Sequence, residues 1–235
     1  MITIKGKHSV LEALLSNVKI SEITVYDHNP SGELKRIVQL ATEKGIPIRK
    51  QQKKLHAKHI SGHQNVVALI SQLNMQPTSI LNPTKHPLVV ALDHLEDPFN
   101  VGAIMRTCHC LGVNTILMPK DRQAPINDAL IKASSGAAYY MTIIQVSNIA
   151  NVLINCQKDG YWIYSGDSNQ GTSLKSIDIA FPAILVVGNE HAGVSKRVSK
   201  IVDNHIKIDM KGQIDSLNVS VATGIILHEL SNQVS

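Results

Sequence analysis

The chain has 235 residues, 43% of them apolar, enough for one large or two modest domains with a real core, which excludes a disordered chain. No run of 18 apolar residues occurs, and Met1–Lys7 has no apolar stretch with a small-residue cleavage site, so neither a membrane span nor a secretory leader is expected and the expected location is the cytoplasm. The net charge of +5 is unevenly spread: residues 1–85 hold 12 Lys and Arg against 5 Asp and Glu, whereas residues 86–235 hold 11 against 13.

In chain order, Gly6–Asn17 reads as a helix with Val10, Leu11, Ala13 and Leu14 inward, followed by a β-branched strand at Ile20–Tyr26. Ser31 is a candidate N-cap for a second helix, with Leu34, Ile37, Val38 and Ala41 on one face and Gly45 ending it in the left-handed conformation. Ile46-Pro47-Ile48 starts a short strand. The segment Arg49–His59 then carries five permanent cations, among them Lys50, Lys53 and Lys54, with two histidines and no acid. Such a patch suits a polyanion such as RNA, the alternative being a solvated helix face. Asn65–Ile70 is a continuous apolar strand, so residues 1–73 form a small α/β unit.

Residues 74–86 are rich in Asn, Pro and Thr and read as an exposed linker. From residue 87 to 235, strands at Leu88–Leu92, Thr115–Met118, Tyr161–Tyr164, Ala183–Val187 and His205–Ile208 alternate with helices at Val101–Leu111, Asn127–Ser134, Asn148–Lys158, Val194–Ile201 and Asn218–Ser231. That rhythm predicts a largely parallel sheet covered on both faces. The three cysteines, Cys108, Cys110 and Cys156, give no disulfide framework, and Cys108-His109-Cys110 is poor zinc spacing, so no metal is expected.

Three segments end apolar runs with polar residues: Asn100–Thr107, Leu185–Glu190 and Ser216–Ala222. In α/β proteins such residues meet at the carboxyl ends of strands. Gly188-Asn189-Glu190-His191-Ala192-Gly193 is neither G-x-G-x-x-G nor a Walker sequence, which disfavours a dinucleotide or ATP. Gly188 instead offers close backbone access at a strand end.

These segments resemble the three motifs of the SpoU (TrmH) group of SPOUT RNA 2′-O-methyltransferases. N-x-G-x-x-x-R-[ST] is met by Asn100, Gly102, Arg106 and Thr107; G-x-E-x-x-G by Gly188, Glu190 and Gly193; S-L-N-V-S-V-A by Ser216 through Ala222. Gly6–Leu14 and His63–Ala68 resemble the ribosomal-protein-like substrate domain of members that modify large-subunit ribosomal RNA. The resemblance implies an α/β catalytic domain with a deep trefoil knot, a homodimer, and S-adenosylmethionine as methyl donor, with no metal.

It also implies roles. Gly188, Ile208 and Leu217 would offer main-chain groups to the donor. Arg106, Glu190, Asn218 and Ser220 would be catalytic and Asn100 would meet substrate, where the charge of the basic segment adds Lys50, Lys53 and Lys54. The family assigns activation of the ribose hydroxyl to the arginine. A guanidinium keeps its proton, with a pKa above about 12, so binding a phosphate or stabilising the developing alkoxide is the other role for Arg106. Glu190 would orient Arg106, across the dimer in one version. His191 and Ala192 depart from the pattern of the ribosomal members, Asn65 replaces a frequent glycine, and Asp209 replaces a proline that would stiffen the donor-binding loop. The expected reaction is 2′-O-methylation of a guanosine in large-subunit ribosomal RNA. Transfer RNA, ribosome-directed antibiotic resistance, or a non-catalytic role in ribosome assembly are the alternatives.

Overall fold

The computed structural model describes residues 1–51, 64–73, 75–167, 171–190 and 192–234. Lys53, Lys54 and His191 lie outside the described residues. In the amino-terminal unit, β1 (Ile2–Lys5), α1 (Lys7–Leu15), β2 (Ile20–Val25), α2 (Gly32–Glu43), β3 (Ile48–Lys50) and β4 (Val66–Ile70) make a four-stranded sheet ordered β1-β4-β2-β3, with α1 against α2. Helix α1 buries Val10, Leu11, Ala13 and Leu14 as its periodicity predicts. Ser31 stands at the N-cap of α2 in extended conformation but makes no side-chain cap bond. At the other end Gly45 takes φ +65°, and Ile46 N donates back to Ala41 O at 2.9 Å, closing the helix through a left-handed residue.

The second unit contains β5 (Met75–Gln76), β6 (Leu88–Asp93), α3 (Pro98–Cys110), β7 (Thr115–Pro119), α4 (Asp128–Ala133), β8 (Thr142–Val146), α5 (Ile149–Lys158), β9 (Trp162–Gly166), β10 (Thr172–Ser173), β11 (Ala183–Gly188), α6 (Lys196–Ser199), β12 (Asn204–Lys207) and α7 (Val219–Gln233). Its eight strands run in the order β10-β12-β9-β11-β6-β7-β8-β5, and every pairing is parallel. Residues alternate between two cores. Val90, Leu92, Leu185 and Val187 pack with Ile104 of α3 and Leu227 of α7, whereas Val89, Ala91, Ile184 and Val186 pack with Leu153 of α5 and Val198 of α6.

Sequence periodicity misses β1, β5, β8 and β10. Strand β8 is legible in Thr142-Ile143-Ile144-Gln145-Val146, which is β-branched at four of five positions. Strands β5 and β10 are two residues long and exist through their neighbours, β8 and β12. Successive strands leave β6 toward β7 and β8, and the later strands lie beyond β11 on its other side. The crevice at the carboxyl ends of β6 and β11 is therefore a topological switch point. The two units touch where Lys5 N donates to Asp128 Oδ1 at 2.8 Å and the Tyr139 hydroxyl donates to Ser9 O at 3.3 Å.

Candidate active site

Three structural devices bring the polar segments together. Asp97 caps α3, accepting from Phe99 N at 3.0 Å with Pro98 next in the first turn, so Asn100 projects from the helix start. Gly102 lets α3 approach α4 closely: a side-chain carbon there would stand 2.6 Å from both Ala133 Cβ and Leu130 O. Asn218 caps α7, accepting from Ser220 N at 2.9 Å.

The caps and the strand end join in one hydrogen-bond chain. Asn218 Nδ2 donates to Asn100 Oδ1 at 3.1 Å, and Asn100 Nδ2 donates to Glu190 Oε1 at 2.9 Å. The Ser220 hydroxyl donates to Asn218 Oδ1 at 2.6 Å. Four of the residues singled out by sequence thus meet, although they are spread over 121 positions from Asn100 to Ser220. Glu190 and Asn218 are exposed and Asn100 is partly so, which leaves the chain open to a ligand.

The loop after β11 is clamped onto the end of β6. Asn189 Nδ2 donates to His94 O at 2.9 Å, Asn189 and Gly193 pair through their backbones, and Ser195 N donates to the buried Asp93 Oδ2 at 2.7 Å. Gly188 serves this clamp. A side chain there would collide with the backbone of Gly193 and Val194 and stand 2.6 Å from Gly193 O. The space beside Gly188 is thus filled by the protein's own loop, in addition to bordering the crevice.

Beneath the loop lies a cavity of about 510 Å³. It is bounded by Gly188 and Glu190, by Ile208 and Met210, and by Leu217 and Asn218, with Ile206 and Ile226 as apolar floor. Gly188, Ile208 and Leu217, predicted as donor contacts, all border it. The Asp209 that replaces proline accepts from Ser173 Oγ at 2.5 Å, so a side-chain bond to β10 restrains the loop where a ring would have done so.

Arg106 is not part of this chain. It lies on the exposed side of α3, six residues or about 9 Å along the axis from Asn100, and makes no hydrogen bond or ion pair among the described residues. Within one protomer Glu190 is held by Asn100, not by Arg106. Lys50 ends β3 in the amino-terminal unit and is exposed.

Sequence reasoning overlooked Asp93, Asn189 and His205. Asp93 carries a signal, as an acid ending the apolar run Leu88–Leu92; His205 carries none. Among the described residues no group of three or more His, Cys, Asp or Glu is placed to hold a metal. Burial pushes the Cys108 thiol up to about 12 and the Cys156 thiol to about 11, which keeps both protonated.

Residues 87–228 match the model of the SpoU rRNA Methylase family, and residues 3–76 match a model described as RNA 2′-O ribose methyltransferase substrate binding. A Staphylococcus saprophyticus protein assigned to the TrmH family of tRNA/rRNA methyltransferases is 32% identical over 97% of this chain and 94% of its own length. A Bacillus subtilis protein with the same assignment is 31% identical over 96% and 93%. Among solved structures, an AdoMet-bound rRNA methyltransferase from Sinorhizobium meliloti superposes with a TM-score of 0.83 at 23% identity, covering 100% of this chain and 88% of that one. The A. aeolicus TrmH/SpoU tRNA modifying enzyme is 33% identical over 66% of this chain and 79% of its own, with a TM-score of 0.57.

Proposed function

The chain belongs to the SpoU rRNA methylase family, and from that premise we propose that it methylates the ribose 2′-oxygen of a guanosine in large-subunit (23S) ribosomal RNA, using S-adenosylmethionine. The observation that carries the reading is the hydrogen-bond chain Glu190–Asn100–Asn218–Ser220, of which Glu190 and Asn218 border the 510 Å³ cavity. That volume falls within the range of small-molecule sites, and a wall of backbone groups and aliphatic side chains fits an uncharged adenine. When bound, the donor supplies a methyl group on a sulfonium, an electrophile that needs no further activation.

The chain's own residues then have a geometric task. Gly188, Ile208 and Leu217, which border the cavity, would hold the donor through their main chains. Asn218 and Ser220 position the ribose hydroxyl, and alignment supplies much of the rate. Glu190 is the ionisable member of the chain and is the base available to the hydroxyl proton. Arg106, a permanent cation, binds a phosphate or stabilises the developing alkoxide. The knotted crossing remains what the resemblance implies; what supports it is that Gly188–Glu190, Ile208, Met210 and Ser216–Asn218 all border one cavity.

The dimer is part of this proposal. Val221 and Ile225 of α7 are 50% and 41% exposed, one turn apart, and Leu217 and Ile214 in the segment before the helix are exposed too, while Ile226 and Leu230 are buried in the core. In this proposal a second copy covers this face and Arg106, which makes no hydrogen bond or ion pair among the described residues of its own protomer, acts at the partner's crevice. The basic segment from Arg49, with Lys50, Lys53 and Lys54, docks the RNA, and this added unit favours ribosomal over transfer RNA. A transfer-RNA target is the second reading, favoured by 33% identity to the A. aeolicus enzyme.

The test is transfer from labelled S-adenosylmethionine into purified ribosomal and transfer RNA, followed by nucleoside analysis. 2′-O-methylguanosine from ribosomal RNA supports the proposal. Label in transfer RNA alone selects the second reading, and no label in either overturns both.

A further inference from the structure

At the outer side of the same cavity, β9 and β12 place a serine and a histidine in register, His205 opposite Ser165. Ser165 is fully buried, and its Oγ lies 2.7 Å from His205 Nδ1. His205 is partly exposed and borders the cavity on its α6 side, together with Val186, Val194 and Ser199. Gly171, at φ +124°, packs so tightly on the His205 backbone that a side-chain carbon would stand 2.9 Å from His205 Cβ. The His205 backbone is thus held by the chain and its imidazole by a hydroxyl.

The serine decides which ring nitrogen carries the proton. A buried hydroxyl must place its hydrogen on an acceptor, and among the described residues Ser165 Oγ meets His205 Nδ1 alone. With Ser165 donating to Nδ1, the neutral ring is the Nε2–H tautomer. Nε2 makes no hydrogen bond among the described residues, and His205 is one of the residues that border the cavity.

We propose that His205, with its tautomer fixed by Ser165, is a specificity-determining residue that donates from Nε2 to a hydrogen-bond acceptor on the methyl donor. This inference rests on the reading of the cavity as the S-adenosylmethionine site. Ser165 acts through His205 and is a positioning residue. The ligand chemistry required is an oxygen or nitrogen lone pair, such as a ribose oxygen or the amino-acid carboxylate.

Calorimetric titration with S-adenosylmethionine tests it on the full-length protein. His205→Ala should weaken binding about five- to tenfold, the loss of one neutral hydrogen bond. His205→Gln keeps an N–H at a comparable reach and should recover most of that loss. Ser165→Ala frees the tautomer and should cost a few-fold. In methyl transfer the His205→Ala change should raise the KM for S-adenosylmethionine while kcat and the KM for RNA stay put. The ¹⁵N shifts of the wild-type imidazole give an answer independent of any variant's folding. They should report Nε2–H before titration and move at Nε2 when S-adenosylmethionine is added. An Nδ1–H tautomer, or an unmoved Nε2 signal in a protein that binds S-adenosylmethionine, overturns the inference, as does His205→Ala binding within twofold of wild type. Absence of binding to the wild-type protein fails the reading of the cavity instead.

Discussion

Gly188→Ala probes the geometry that makes the cavity. Its methyl carbon would stand 2.6 Å from Gly193 O and closer still to two backbone atoms of the same loop, none of which can rotate away. Carbon contacts relax at about 3.5–4.0 Å, so the loop has to retreat by roughly 1 Å. That retreat pulls on the Asn189–Gly193 pairing and on the bond from Ser195 N to Asp93 Oδ2. Overpacking of this kind costs about 1–3 kcal/mol. For a chain of this size that lowers the melting temperature by roughly 2–12 °C. The displaced loop carries Glu190 and one wall of the cavity, so affinity for S-adenosylmethionine should fall more than about tenfold. The control is Gly224→Ala in α7, where the added carbon meets its nearest neighbour, Thr107 Cγ2, at an ordinary 3.5 Å. Replacing glycine inside a helix gains about 1 kcal/mol, so this variant should melt slightly higher. Scanning calorimetry and isothermal titration measure both. A Gly188→Ala protein that melts within 1 °C of wild type and binds the donor equally well would refute the account of the loop.

Arg106→Ala should lower methyl transfer more than about a hundredfold and leave donor affinity within a few-fold, since the residue stands off the cavity; single-turnover rates beside calorimetry decide this. Reversing the charges of Lys50, Lys53 and Lys54 should weaken RNA binding and reduce the slope of log K against log salt by about 2, and an unchanged salt series removes that segment from the interface. Alkaline pH should destabilise the fold through its buried thiols. Burial raises Cys108 from 9.0 to about 12 and Cys156 to about 11, so the folded state keeps protons that the unfolded chain releases. The stability they contribute is whole below pH 9 and is lost as pH rises from about 9 toward 12. Urea midpoints from pH 8 to 11 should fall, with a shallower decline in Cys108→Ala; a flat series contradicts this.

The sequence made most of the second unit legible because its strands are long apolar runs and its helices carry capping residues such as Asn148 and Asn127. Strand ends, caps and motif glycines also marked where Asn100, Glu190, Asn218 and Ser220 would sit. Pairings across long stretches of chain stayed out of reach. Nothing in the local pattern around Asp93 says that it receives Ser195 N, 102 residues later, or that Ser165 faces His205. The two-residue strands β5 and β10 have no pattern of their own. Glu190 was expected to orient Arg106, across the dimer in one version, whereas within one protomer Asn100, 90 residues earlier at the start of α3, takes that carboxylate.

Ribose methylation mapped at nucleotide resolution, in cells with and without the protein, tests the central claim most directly. The account predicts the loss of one 2′-O-methylguanosine from large-subunit ribosomal RNA, restored by the wild-type chain and not by Arg106→Ala. An unchanged methylation map across ribosomal and transfer RNA, or a lost methyl group on a base, would contradict it.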